Sequence, residues 1–108
     1  MRDLLLGIDV GTTAAKAALF TLDGRLQTLG QADYPLATPF PNAAEQSPED
    51  WWQAVCRAIQ QALTAVPNAA DRVIGLAISS QAPTLLPVDR HGQPLRPALI
   101  WMDRSEER

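Results

Sequence analysis

The stretch LLLGIDVGTTAAKAALFTLDGRL, residues 4–26, decides the fold. Residues 4 to 9 and 15 to 20 are apolar segments, and Val10 to Ala14 between them hold a glycine and two hydroxyls. That pattern predicts two antiparallel strands joined by an enlarged turn. Asp23-Gly24 marks a second hairpin turn, with glycine supplying a positive φ. It predicts a third antiparallel strand from near Arg25 towards Tyr34.

Further along, Pro35, Pro39, Pro41 and Asn42 interrupt residues 35 to 47, which predicts a loop crossing to a helix. Ser47 reads as the N-cap of that helix and Pro48 as its first residue. Asp50 completes a capping-box pattern, with Glu49 adding negative charge to the first turn. Trp52, Val55, Cys56, Ile59, Leu63 and Val66 recur at helical spacing and predict the buried stripe, ending at Pro67-Asn68. Trp51 falls off that stripe and reads as a partly buried rim aromatic. Residues 73 to 79, VIGLAIS, are the length and composition of a strand buried on both faces, lying parallel after the helix. Thr84 to Val88 and Leu99 to Trp101 are further strand candidates, separated by a turn at residues 89 to 92. The lone histidine, His91, sits in that turn and reads as solvated.

With 108 residues, 46% of them hydrophobic and 19% charged, the composition is that of one globular unit rather than a disordered chain. A net charge of −3 with no Lys/Arg cluster argues against nucleic acid as a partner. The apolar run Leu4 to Ile8 is too short for a signal-peptide core or a membrane span, which predicts a cytoplasmic protein with no membrane partner. The one cysteine, Cys56, has no disulfide partner and no zinc-type spacing, so it reads as packing in a reducing compartment.

The turn carries the chemistry. Neither G-x-x-x-x-G-K-[ST] nor G-x-G-x-x-G occurs. Gly11 allows a sharp turn in which backbone N–H groups converge on an anion, and Thr12 and Thr13 add hydroxyl donors. Asp9 would repel a bare phosphate. Mg²⁺ between the carboxylate and the phosphate oxygens reconciles them, and Lys16 offsets the remaining negative charge. An ordinary hairpin with a polar turn is the competing reading of these residues.

GIDVGTTAAKAALFTLDGRL, residues 7–26, resembles the first phosphate motif of the superfamily of actin, heat-shock-70 chaperones and sugar kinases. EQSPEDWW at 45–52 and GLAISSQAPTLLPVDRHGQPLRPALIWMD at 75–103 are similar to the FGGY carbohydrate kinases, particularly the xylulokinase-like group. The resemblance implies an α/β fold: a ribonuclease-H-like mixed sheet with three antiparallel strands, then a helix and a parallel strand. It also implies that residues 1–108 are the N-terminal part of domain I of a two-domain kinase. Such a kinase transfers the γ-phosphoryl of ATP to a sugar or polyol hydroxyl, with ATP and Mg²⁺ as cofactors.

Carried onto this chain, the resemblance assigns Asp9 to the metal and Gly11, Thr12, Thr13 and Lys16 to the ATP phosphates. Gln81, Ala82, Pro83, Trp101 and Asp103 would then lie at the acceptor. Ala82-Pro83 departs from the pattern, since xylulokinases carry Met-His there and glycerol kinases Arg-Glu, and this leaves the acceptor open. Ser105 likewise stands where an arginine is common. The second phosphate loop, the adenosine segment and the catalytic base have no counterpart in 108 residues, so the chain alone is expected to be inactive. It runs out in the charged SEER, residues 105–108, and sheet surface left exposed by the missing part would favour self-association. The alternative is a non-catalytic stand-alone module of the same fold that binds sugar or a protein.

Overall fold

In a computed structural model, residues 1–105 are described; residues 106–108 of SEER lie outside them. Strands β1 (Leu4–Val10), β2 (Ala14–Thr21) and β3 (Leu26–Asp33) form the expected antiparallel meander. After β4 (Glu45–Gln46), helix α1 (Pro48–Thr64) and a single turn of helix, α2 (Ala69–Arg72), lead into β5 (Val73–Ser80). β5 pairs with β1 in parallel, so the main sheet has the order β3-β2-β1-β5. The last strand, β6 (Ala98–Leu99), pairs antiparallel with β4 in a separate two-stranded sheet.

The hairpins follow from alternation. Leu4, Leu6 and Ile8 of β1 and Ala15, Ala17 and Leu19 of β2 are buried, whereas Leu5, Asp9 and Lys16 between them are exposed. Leu4 and Leu19 are fully buried, each worth roughly 1.5–3 kcal/mol by transfer. Gly24, with φ 89°, makes the Asp23-Gly24 turn as expected. Arg72 closes the crossover with two hydrogen bonds to the Asp3 carboxylate, of 2.8 and 3.0 Å, joining the start of β1 to the start of β5.

The buried face of α1 differs from the predicted stripe. Ala54, Ala58 and Ala62, one per turn, are its buried residues, while Val55, Ile59 and Leu63 flank them and Trp52 is 65% exposed. Trp51, read as a partly buried rim aromatic, is half-buried and packs against Ala15, Tyr34 and Ala54. The cause is close approach: a Cβ on Gly30 of β3 would lie 2.0 Å from the Ala58 carbonyl oxygen. Only small residues fit where α1 crosses β2 and β3.

The start of α1 is also made differently. Ser47 is the N-cap in extended conformation and Pro48 follows it, but the Ser47 side chain makes no cap hydrogen bond. The amide it would cap, that of Asp50, donates to the Ser47 backbone carbonyl at 3.1 Å. α1 stops at Thr64, short of the predicted Pro67-Asn68.

β5 is not buried on both faces. It is an edge strand, and Leu76 and Ile78, which share a face with Leu6 and Ile8, are 60% and 64% exposed. A continuous apolar run sets what a strand can bury, but coverage comes from neighbours, and α1 lies over β2 and β3. Residues 84 to 88 form only isolated bridges, Leu85 to Leu99 and Val88 to Pro94, because Pro83 and Pro87 remove ladder donors. The candidate strand at 99 to 101 is shortened to β6, with Trp101 beyond it. The 35–47 loop contributes β4 near its end.

Candidate functional site

The β1–β2 turn is closed by the Gly11 N–H, which donates to the Ala14 carbonyl at 3.0 Å. Gly11 does not adopt a positive φ, and a Cβ there would sit tightly against Ala14 O at 3.3 Å and in ordinary contact with Asp9 Oδ2 at 3.7 Å. Tyr34 pins the turn from below. Its N–H donates to Thr13 O at 3.1 Å, and its hydroxyl lies against the carbonyl oxygens of Gly11 and, at 3.0 Å, of Ala14. Burial, with the Asp9 charge nearby, pushes the Tyr34 phenol up to about 12.

Asp9 and Lys16 are register partners across β1 and β2, and Ser79 of β5 is the partner of Asp9 on its other side. All three therefore share the sheet face opposite α1. They line a groove of about 430 Å³ floored by Gly7, Ala18 and Ala77, and both charges are exposed. No three His, Cys, Asp or Glu side chains converge on one point among the described residues.

Four segments far apart in sequence meet at Thr12. The Thr12 hydroxyl donates to Gln81 Oε1 at 3.2 Å, and the Trp101 indole N–H donates to Thr12 Oγ1 at 2.9 Å. Gln81 continues the β5 edge, its N–H donating to Val10 O at 2.9 Å. Gln46 of β4 donates to the Thr12 carbonyl at 2.6 Å and accepts from Trp51 and Gln81, each at 2.9 Å. At 2% exposure Gln46 is the one buried polar residue among those described, and its role was not read from the sequence. It lies within EQSPEDWW, but a glutamine ahead of a helix cap carries no mark of burial by itself.

The acceptor-side candidates divide. Trp101 is half exposed, and Ala82 and Pro83, joined by a cis peptide, are exposed beside Gln81. Asp103 is tied up: Oδ2 accepts the Ala44 N–H at 2.8 Å, and Oδ1 accepts the Ser105 N–H at 3.0 Å and hydroxyl at 2.6 Å. The Ser105 hydroxyl first, and then the Ala44 N–H, hold the Asp103 carboxyl below its ordinary value. Asp103 thus anchors the Trp101 segment to the 35–47 loop. On the α1 side, Val10, Trp51, Trp52, Val55 and Gln81 line an apolar cleft of about 370 Å³. His91 is exposed in its turn. No described helix is long and apolar enough to cross a membrane.

An antiparallel meander, a crossover helix and a parallel fourth strand, with an acidic residue and a glycine-threonine turn at the first hairpin, define a sugar-kinase domain of the actin- and Hsp70-like fold. The chain belongs to the FGGY family of carbohydrate kinases, whose N-terminal domain matches residues 4–108. It is 32% identical over 104 residues to a glycerol kinase of Thermococcus kodakarensis, covering 96% of this chain and 21% of the relative. A gluconokinase of Bacillus subtilis is 35% identical over 107 residues, 99% of this chain and 20% of the relative. Among solved structures, the xylulose kinase of Rhodospirillum rubrum superposes with a TM-score of 0.88 at 26% identity, over 93% of this chain and 20% of that one. The chain thus spans about a fifth of the length of these relatives.

Proposed function

We propose that the chain is the N-terminal part of domain I of a longer, cytoplasmic, ATP-dependent kinase that phosphorylates a hydroxyl of a sugar or polyol. The observation that carries this reading is the meeting at Thr12 Oγ1, which lies 3.2 Å from Gln81 and 2.9 Å from Trp101. One atom joins the turn suited to phosphates to the two segments suited to the acceptor. Donor and acceptor would be bound as neighbours, and phosphoryl transfer depends chiefly on such positioning.

Asp9 would help hold Mg²⁺, with Gly11, Thr12, Thr13 and Lys16 at the phosphates. The residues fit that group: the Asp9 carboxylate is exposed opposite Lys16, and no cluster of three or more His, Cys, Asp or Glu side chains forms among the described residues. A site with one carboxylate suits Mg²⁺, which takes its other ligands from phosphate and water. When bound, Mg²⁺ would neutralise charge on the phosphate oxygens. The Thr12 hydroxyl is committed to Gln81, so Thr12 would serve phosphate through its N–H, and the exposed Thr13 hydroxyl would be the side-chain donor. Lys16 would supply the compensating charge.

On the acceptor side, the half-exposed ring of Trp101 would receive the C–H face of a sugar, and Gln81 would orient it. Ala82 and Pro83 offer shape but no side-chain hydrogen bond, so they would select the acceptor by fit. Asp103 would keep Trp101 in place. The catalytic base and the remaining nucleotide contacts would come from the rest of the protein, and the 108-residue chain would turn nothing over alone. The test is ADP release by the full-length protein against pentuloses, hexuloses and polyols, with Asp9→Ala as control. Silence on every acceptor would overturn the kinase reading, and an Asp9→Ala protein with undiminished rate would overturn the role of Asp9.

A further inference from the structure

We propose that Gln46, buried behind the site and bonded to both Thr12 and Gln81, is the positioning residue that holds the phosphate and acceptor sides in register, an inference that rests on the kinase reading above. A primary amide has two N–H donors and an oxygen that accepts twice. In Gln46 all four are used. Nε2 donates to Thr12 O at 2.6 Å and Pro35 O at 3.4 Å, and Oε1 accepts from Trp51 Nε1 and Gln81 Nε2, each at 2.9 Å. Reversing the amide would set its N–H groups against two donors and its oxygen against two carbonyls. Its orientation is therefore fixed.

The fixed amide directs each bond that follows. Because Gln81 gives its N–H to Gln46, its Oε1 is left to accept, and the Thr12 hydroxyl donates to it at 3.2 Å. With that proton committed, Thr12 Oγ1 accepts from the Trp101 indole at 2.9 Å. The bonds from Thr12 Oγ1 to Gln81, to Gln46 and back to the Thr12 carbonyl form a closed ring, with Trp101 and Trp51 as donors into it. Mutually polarised bonds of this kind strengthen one another away from water. The rotamers of Thr12, Gln81 and Trp101 are thus set by a residue on β4. Gln46→Glu keeps the volume but points a carboxylate oxygen at two carbonyls, and so breaks the ring at its origin.

Two measurements on the full-length protein test this. In steady-state kinetics, Gln46→Glu and Gln46→Leu should raise KM for both ATP and acceptor by about fivefold or more while lowering kcat, the pattern of lost positioning. A merely structural role would reduce the folded fraction, scaling kcat and leaving both KM values unmoved. Combining Gln46→Leu with Thr12→Val should cost less than the product of the single losses, because both break one ring. Gln46→His retains a donor and an acceptor and should recover part of the loss. The second readout needs no activity: indole N–H resonances, assigned through Trp51→Phe, Trp52→Phe and Trp101→Phe. Gln46 substitution should shift both Trp51 and Trp101, the latter through Gln81 and Thr12, and leave exposed Trp52 in place. Unchanged KM values, or an unmoved Trp101 resonance in any folded Gln46 variant, would overturn the proposal. A wild-type protein silent on every acceptor would overturn the kinase reading, while the resonances would still decide whether the ring exists.

Discussion

The two halves of the main sheet are built from similar sequence and end in opposite conditions. β2 and β3 lie under α1 at backbone contact, with Gly30 against Ala58, whereas β5 carries Leu76 and Ile78 on the same face with more than half of each exposed. Apolar content does not separate them. What differs is whether a second layer is present, and on the α1 side that layer is admitted by small residues rather than large ones. The bare strand is also the one that leads to Gln81, so the loop at residues 81–83 springs from the less covered half of the sheet.

The largest effect should come from breaking the close half. Gly30→Val would drive a side chain into the Ala58 carbonyl and should cost about 3 kcal/mol or more, read as the loss in chemical-denaturation midpoint. A loss under about 1 kcal/mol would mean that α1 can lift from the sheet at little cost, ending the contrast. Next is Tyr34→Phe, which removes the hydroxyl from the Gly11 and Ala14 carbonyls and should cost about 1–2 kcal/mol. Its pH signature has a defined sign. Because the phenol is raised from 10.0 to about 12, its contribution is complete below pH 10 and lost as pH rises towards 12. Tyr34→Phe should lack that alkaline decline.

Adjacent tryptophans give a smaller and more local contrast. Trp51→Phe should cost about 1 kcal/mol by leaving Gln46 Oε1 one donor short, while Trp52→Ser should change stability by no more than about 0.5 kcal/mol. Equal effects would return Trp52 to the buried stripe. The smallest effect is expected on the bare half. Leu76→Thr and Ile78→Thr should each stay within about 0.5 kcal/mol in the 108-residue chain, and should reduce its self-association in sedimentation. A cost of about 2 kcal/mol for the same changes in the full-length protein would show that another layer covers β5 there.

Much of this was legible in the sequence. Alternation and the Asp23-Gly24 turn gave the meander, and the apolar run at 73 to 79 gave a parallel strand after a helix. The buried face of α1 was missed because counting large apolar residues overlooks Ala54, Ala58 and Ala62, which carry no hydrophobic emphasis yet permit the closest contact. Burial of β5 was overestimated because a pattern reports a strand's capacity, not its neighbours. In the candidate site, charge and turn chemistry single out Asp9, Gly11, Thr12 and Lys16 as candidates, whereas Gln46 and Tyr34 enter only through contacts made on folding. Asp103 was legible as a position, but its bonds to Ala44 and Ser105 were not.

The Arg72–Asp3 pair bears on the order in which the chain assembles. The meander joins residues close in sequence, while the ladder between β1 and β5, clasped by Arg72 and Asp3, must bring together groups separated by 69 positions. Long loops close late because their chain entropy is spent before contacts compensate it. β5 should therefore join last, onto a preformed three-stranded nucleus. In pulse-labelled hydrogen exchange its amides should gain protection after those of β2, and simultaneous protection would refute that sequence of events.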